Sequence, residues 1–201
     1  MPQRKVVYQQ LGAIAGIAAP IVAFPSILIA IAFYPTFSWS NNALSDLGII
    51  PGITGTVFNF GIYTSGLLSL SFAIFCLFYY LGKTWAGKIG SAFFAMANLS
   101  LTAIGFFNES FSPTHYLVSV AFFALVPISL FILTLAFWLN HQRSMAGFTV
   151  LIGVLAALPW LLWFTFNYVS NVAIPESLSG VAVSVWVVIL AQKNVRLQST
   201  S

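Results

Sequence analysis

Long runs of apolar residues, interrupted by short polar segments, dominate the chain. A helix needs about 20 such residues to cross the roughly 30 Å hydrocarbon core of a membrane. The strands of a membrane barrel would instead alternate apolar and polar residues in segments of about ten. The pattern therefore predicts six membrane-spanning helices, at about 11–33, 55–81, 85–107, 113–139, 145–166 and 172–191.

Composition excludes the main alternatives to a membrane protein. Hydrophobic residues make up 60% of the chain and charged residues only 5%, whereas an ordinary soluble domain is about one quarter charged. A disordered chain needs low hydrophobicity and high charge. The basic residues stand singly or in pairs rather than on one face, so no nucleic-acid partner is expected. The sequence predicts one all-α transmembrane domain, a six-helix bundle over residues 1–201, with membrane lipids as its partners.

The few charges divide between the two ends of the predicted bundle. With six spans, both termini share one side with the connections that follow the second and fourth spans. An excess of Lys and Arg marks the cytoplasmic side of a membrane protein. We therefore expect both termini in the cytoplasm, a multi-pass position in the cytoplasmic (plasma) membrane, and a long first extracytoplasmic loop at about 34–54. The basic side holds Arg4, Lys5, Lys83, Lys88, Arg143, Lys193 and Arg196, and the other side holds Asp46, Glu109 and Glu176.

The first extracytoplasmic loop contains the polar stretch SWSNNALSDLG at 38–48. In a structural interpretation, Asn42 or Ser45 caps a short interfacial helix and Asp46 lies in its first turn. In a functional interpretation, Asp46 points into the mouth of the bundle as a metal ligand or an acid–base group. The stretch itself leaves both interpretations open.

The fourth span begins with a second polar stretch, NESFSPTH at 108–115. Ser112 is expected to be the N-cap and Pro113 the first helical residue, which puts His115 in the first turn. There His115 is available as a ligand or a base. Alternatively, His115 hydrogen-bonds Glu109 or the first loop and fixes the loop geometry.

Glu176 lies at the start of the sixth span, where the helix dipole stabilises an acid without any functional role. If the helix begins near Val172, Glu176 lies about one turn into the membrane and needs a partner. The extracytoplasmic side then has four candidate catalytic residues: Asp46, Glu109, His115 and Glu176. Because Zn²⁺ takes His nitrogen and carboxylate oxygen, Asp46, His115 and Glu176 are candidate ligands of a divalent metal.

The motifs of the chain resemble a known family, the small multi-pass membrane proteins catalogued as domain of unknown function 998, found mainly in archaea and bacteria. The resemblance covers nearly the whole chain, and the family is similar in layout to the six-span FRAG/DRAM/Sfk proteins, whose roles are tied to lipids and membrane trafficking. It implies a fold and a topology, and it supplies no reaction. The matching motifs are SNNALSDLG at 40–48, THYLVSVAFF at 114–123, ALPW at 157–160 and AIPESLSG at 173–180.

Three function hypotheses follow, and whether the protein is an enzyme stays open. The first is a lipid-associated, non-enzymatic membrane protein in which the acids and His115 hold a polar extracytoplasmic cap together. The second is an outer-leaflet, metal-assisted hydrolase or transferase that acts on a lipid headgroup. The third is a small channel or carrier, which is less favoured because no Asp, Glu, Lys or Arg lies at the centre of any span.

Overall fold

Six long helices make up most of the chain in the computed structural model, which describes residues 2–199, with side chains described for residues 6–196. Each helix is long and apolar enough to cross a membrane, and this part of the chain contains no strand. The prediction of an all-α protein with six membrane-length helices is confirmed. The helices are α1 (Pro2–Ala32), α2 (Ile53–Leu81), α3 (Trp85–Phe106), α4 (Thr114–Leu139), α5 (Arg143–Phe166) and α6 (Ala173–Ser199).

The start of α4 differs from the prediction. The helix begins at Thr114, with Pro113 rather than Ser112 at the N-cap position. Ser112 is instead extended and closes the short 3₁₀ helix Glu109–Phe111 that precedes α4. Because the helix begins at Thr114 and not at Pro113, Ser112 lies one residue too far from the helix to cap it. The expectation that Ser112 caps α4 was therefore wrong.

The six helices form a closed ring. Each helix packs against the next one in sequence, and α6 packs back against α1. Because the connections at 82–84 and 140–142 are short, the helices that they join run antiparallel. The other three connections, 33–52, 107–113 and 167–172, consequently meet at the opposite end of the ring. We name this the acidic end, because it holds Asp46, Glu109 and Glu176, and we name the other end the basic end.

Aromatic side chains fill the centre of the six-helix ring. Phe94 lies 6.3 Å from Phe72 and 5.4 Å from Trp186 between ring centroids, and all three side chains are almost fully buried. The indole Nε1 of Trp186 donates a 2.9 Å hydrogen bond to Oγ1 of Thr149, which is also buried. A buried indole N–H needs such a partner. This bond ties α6 to α5 inside the core.

Glycines let α2 and α3 approach closely. A Cβ atom on Gly66 would overlap the backbone nitrogen of Thr102, and a Cβ atom on Gly105 would overlap the backbone nitrogen of Tyr63. Helices in membranes associate through such small residues because lipid supplies no hydrophobic drive between them. The α2–α3 contact therefore depends on the absence of a side chain at both glycines.

The surface of the ring is apolar and its interior contains polar groups. Phe60, Phe164 and Phe166 are each at least 69% exposed, whereas Asn98 and Ser129 are buried. Asn98 Nδ2 donates to the carbonyl of Phe94 four residues earlier, so the amide is paired within its own helix. An apolar exterior with internally paired polar groups suits a hydrocarbon environment. Together with the six spans, this marks a multi-pass membrane protein.

Gln142 joins three elements at the basic end. Its Oε1 accepts a 2.7 Å hydrogen bond from the hydroxyl of Tyr80 and a 2.9 Å bond from Nζ of Lys193. The side chains of Arg4 and Lys5, on which part of the predicted orientation depends, lie outside the described residues. The cytoplasmic position of this end stays a prediction.

Candidate functional site

Asp46 organises the first connection at the acidic end. It lies in the 3₁₀ helix Ser45–Ile49, and its Oδ2 accepts hydrogen bonds from Nδ2 of Asn42 at 2.7 Å and from the backbone nitrogen of Ala43 at 3.0 Å. Leu44 occupies the N-cap without a side-chain hydrogen bond. The expectation that Asn42 or Ser45 caps this helix was wrong. The side chain of Asp46 instead accepts hydrogen bonds from the residues that precede the helix.

Glu176 joins the first connection to α6. The helix begins at Ala173, next to the predicted Val172, so Glu176 lies in its first turn, where it is 9% exposed. Its Oε2 accepts a 2.6 Å hydrogen bond from the backbone nitrogen of Leu44. Within the described part of the chain, no hydrogen bond reaches its other oxygen, Oε1. An acid at this depth needs a partner, and here the partner is a neutral backbone N–H.

Glu109 joins the first and second connections. Its Oε1 accepts a 2.6 Å hydrogen bond from the hydroxyl of Ser45. The neighbouring Asn108 accepts a bond from the Ser110 nitrogen and donates a longer one, at 3.4 Å, to the carbonyl of Gly48. The segment around Ala43–Ser45 therefore contacts all three acids, one through each of three consecutive residues.

His115 is held by the end of α3. The ring is 7% exposed, and its Nδ1 lies 2.6 Å from the carbonyl oxygen of Phe107. The sequence predicted a hydrogen bond from His115 to Glu109 or to the first loop, and this prediction was wrong. The carbonyls at a helix C-terminus lack partners within the helix, and the short second connection brings one of them against the imidazole of His115. Because a carbonyl only accepts, Nδ1 carries the hydrogen, and in the neutral ring Nε2 is left as an acceptor.

A cavity of about 670 Å³ opens beside these residues, between α4 and α5 at the acidic end. We name it the acidic groove. All four candidate residues from the sequence line it, together with an apolar wall from the two helices. Its polar end is formed by Ser45, Asp46, Glu109, His115, Asn171 and Glu176. Its apolar wall is formed by Val120, Phe123, Ala124, Trp160, Trp163 and Phe164.

A second, smaller cavity of about 120 Å³ lies inside the ring, mostly between apolar side chains. Four residues line both cavities: Ser45, Ser119, Phe123 and Glu176. The acidic groove therefore borders the interior of the ring at these four side chains. Glu176 faces both spaces, which explains how an acid that is nine-tenths buried retains an oxygen without a hydrogen bond.

The acidic groove contains three acids and, among the described residues, has no basic neighbour. No Lys or Arg belongs to its described lining, and the groups that donate to the three acids are neutral. α3 has 22 residues, which at 1.5 Å per residue separates Lys88, near its start, from the acidic end by about 30 Å. Exposed charges are screened over about 8 Å at physiological salt. The basic end therefore contributes little to the potential in the groove.

The arrangement does not assemble the predicted metal ligands into a recognisable centre. Among the residues that the structure describes, no group of three or more His, Cys, Asp or Glu side chains is placed to hold a metal ion. Asp46 and Glu176 each use one oxygen for a bond to the protein, and His115 uses Nδ1. The metal site of Asp46, His115 and Glu176 stays a prediction.

Sequence reasoning missed Ser119 and Trp160. Ser119 follows His115 by four residues, a spacing that puts two side chains on one helix face, and its Oγ lies 3.4 Å from Nε2 of His115. Trp160 packs on Phe123 with ring centroids 4.6 Å apart. Its indole Nε1 is buried and has no hydrogen-bond partner. The His115–Ser119 spacing was visible in the sequence, whereas the position of Trp160 depends on how α5 packs against α4.

Comparison with known proteins supports the resemblance of the motifs. The profile of a family described as "Protein of unknown function (DUF998)" matches residues 17–193, a range that includes every groove residue named above. The match confirms the family expected from the motifs. No curated protein and no solved structure matches the chain. The likeness to the FRAG/DRAM/Sfk proteins stays a prediction.

Proposed function

We propose, for a chain that belongs to the DUF998 family of proteins of unknown function, that the acidic groove binds one membrane amphiphile whose headgroup carries an ammonium group. One observation carries the proposal: a single cavity has three acids at one end and an aromatic wall at the other. Its volume of about 670 Å³ falls in the range of roughly 300–1,000 Å³ typical of small-molecule sites.

The apolar wall fits an acyl chain. It lies between α4 and α5, where Phe123, Trp160 and Phe164 present ring faces and edges. The ring of Trp163 is fixed by a 3.2 Å bond from Nε1 to the carbonyl of Val169. Phe164 is 70% exposed on the outside of the ring, so the groove is continuous with the apolar surface that faces lipid. An amphiphile can therefore enter sideways from the membrane.

The polar end fits a positive charge. Asp46, Glu109 and Glu176 converge on the same short segment of the first connection, and each accepts hydrogen bonds only from neutral donors of the described chain. An ammonium group there supplies both a counter-charge and the hydrogen-bond donors that Oε1 of Glu176 lacks. Opposite charges attract more strongly in a site of low dielectric than in water. A headgroup that carries an ammonium group is thus favoured over one without an amine.

The distribution of charged residues along the chain supports one orientation of the protein in the membrane. The positive-inside rule assigns the basic end to the cytoplasm, and the acidic groove then opens toward the outer leaflet of the plasma membrane. In this orientation the protein is lipid-associated, and its three acids act in headgroup recognition as well as in holding the connections together.

Native mass spectrometry of the protein released from nanodiscs tests the proposal. We compare phosphatidylethanolamine with phosphatidylglycerol of identical acyl chains. One retained phosphatidylethanolamine per protein is expected, with much less phosphatidylglycerol. Glu109→Gln keeps an acceptor for the Ser45 hydroxyl and replaces the acid with an amide, so it should lower this preference.

A pair of tryptophan variants separates groove binding from general lipid adhesion. Ala124→Trp fills the wall of the groove and should abolish the retained lipid. Ala92→Trp adds the same bulk to an exposed position on α3 that lines neither cavity and should leave the lipid bound. Equal retention by both variants, or equal retention of the two headgroups, would contradict the proposal.

A further inference from the structure

We infer that Ser119 and His115 form a nucleophile–base pair that cleaves an acyl ester of an amphiphile held in the acidic groove. This inference rests on the proposed function, because the ester must be delivered by the bound amphiphile. Both side chains line the groove. The sequence analysis, which concentrated on the acids, identified neither Ser119 as a nucleophile nor its pairing with His115.

The hydroxyl of Ser119 is directed differently from those of three other helical serines. In Ser71, Ser100 and Ser177, the Oγ donates to the carbonyl four residues earlier, which is the ordinary use of a serine within a helix. Ser119 makes no such bond, and its Oγ instead lies 3.4 Å from Nε2 of His115. Pairs of nucleophile and base are often this long before substrate binds, and they tighten in the complex.

The imidazole is oriented as a base requires. Its Nδ1 donates to the carbonyl of Phe107 at 2.6 Å, which fixes the tautomer and leaves the lone pair of Nε2 facing Ser119. An activated nucleophile is recognised by this order: a hydroxyl, a base within reach, and a third group that orients the base. Here a backbone carbonyl takes the place that a carboxylate holds in a Ser-His-Asp triad.

The position of Ser119 suits an ester rather than a headgroup. Along α4, Ser119 lies about 6 Å deeper than His115, and it also lines the inner cavity. In a glycerolipid, the ester carbonyls likewise lie between the headgroup and the acyl chains. On the facing wall, the buried Nε1 of Trp160 is a donor without a partner, and it can stabilise the negative charge that develops on a carbonyl oxygen.

The reaction balances with water as the only co-reactant. Ser119 Oγ attacks the ester carbonyl carbon, and its proton passes to Nε2 of His115. The bond from the carbonyl carbon to the alkoxy oxygen breaks, and His115 returns the proton to the leaving alcohol. Water then attacks the acyl-serine and gives its proton to His115. The C–O bond to Ser119 breaks, the fatty acid leaves, and Ser119 regains the proton.

An alkyl fluorophosphonate, which reacts with activated serines, tests the pair. The protein in nanodiscs should gain one adduct by intact mass, and peptide mapping should place it on Ser119 rather than on Ser112, which also lines the groove. Ser119→Ala should lose the adduct. His115→Asn should slow labelling by about 100-fold, the usual effect of losing a general base. Ser100→Ala, whose hydroxyl bonds only within α3, should label like the wild type.

The same samples are analysed for retained phosphatidylethanolamine, which keeps the two proposals distinguishable. Lipid retention with labelling on Ser119 supports both. Lipid retention without labelling, or with labelling that is equal on Ser112 or unaffected by His115→Asn, overturns the nucleophile–base pair and leaves the binding proposal standing. Loss of lipid retention in the wild type overturns the proposed function and, with it, the basis for an ester substrate.

Discussion

Replacing Glu176 with alanine should loosen the acidic end while leaving the six helices in place. In the native protein, Oε2 accepts a 2.6 Å bond from the nitrogen of Leu44, and both residues are buried. Truncation leaves that N–H without a partner, which costs about 1–3 kcal/mol. For a chain of this size, each kcal/mol lowers the melting temperature by about 2–4 °C. A loss of about 2 kcal/mol therefore predicts a decrease of about 4–8 °C.

Thermal unfolding in detergent, followed by tryptophan fluorescence, measures this decrease. Glu176→Gln keeps an oxygen that accepts from Leu44, so it should retain most of the stability. Ser177→Ala is a matched control, because its hydroxyl bonds only to Ala173 within α6, and its effect should stay within about 0.5 kcal/mol. If the alanine and glutamine variants of Glu176 unfolded at the same temperature, the hydrogen bond to Leu44 would not be what fixes the first connection.

Three further predictions concern the topology and the core. Green fluorescent protein fused to the C-terminus should fluoresce and alkaline phosphatase fused there should be inactive, because the basic end is assigned to the cytoplasm; the opposite pattern would reverse the orientation. Gly66→Ala should destabilise the protein by about 1–3 kcal/mol, because the added Cβ atom overlaps the backbone of Thr102. Gly147→Ala is the control: its Cβ atom would have no neighbour within 4 Å, so it should not lower the melting temperature. Equal effects of the two variants would refute the α2–α3 contact. Trp186→Phe removes the donor to Thr149 and should cost about 1 kcal/mol in thermal unfolding, and an unchanged melting temperature would show that this bond is not needed.

The helices were predictable because hydrocarbon imposes a simple rule on a sequence. Every backbone group must be paired within its own helix and every long helix must be apolar, so the spans can be read from the chain without knowledge of their contacts. The three acids were predictable as a set for the same reason, because charge is excluded from the span centres. That is why Asp46 and Glu109, which lie in different connections, could be assigned to one end.

The partners of those acids were not predictable, because they depend on how the connections fold over the ring. Glu176 binds a backbone nitrogen at Leu44, and His115 binds the carbonyl of Phe107, and no side-chain pattern marks either backbone group. Sequence reasoning also concentrated on charged residues. It therefore passed over Ser119, whose hydroxyl faces His115 rather than a backbone carbonyl, and Trp160, whose N–H lacks a partner where α5 packs against α4.

Photo-crosslinking shows directly whether an amphiphile binds in the acidic groove. The probe is a phosphatidylethanolamine with a diazirine in its acyl chain, added to the protein in nanodiscs and mapped by peptide mass spectrometry. Binding in the groove predicts adducts concentrated on Phe123, Trp160 and Phe164, which decline when unlabelled phosphatidylethanolamine competes. Adducts spread evenly over exposed positions such as Phe60 and Leu99, without competition, would contradict it.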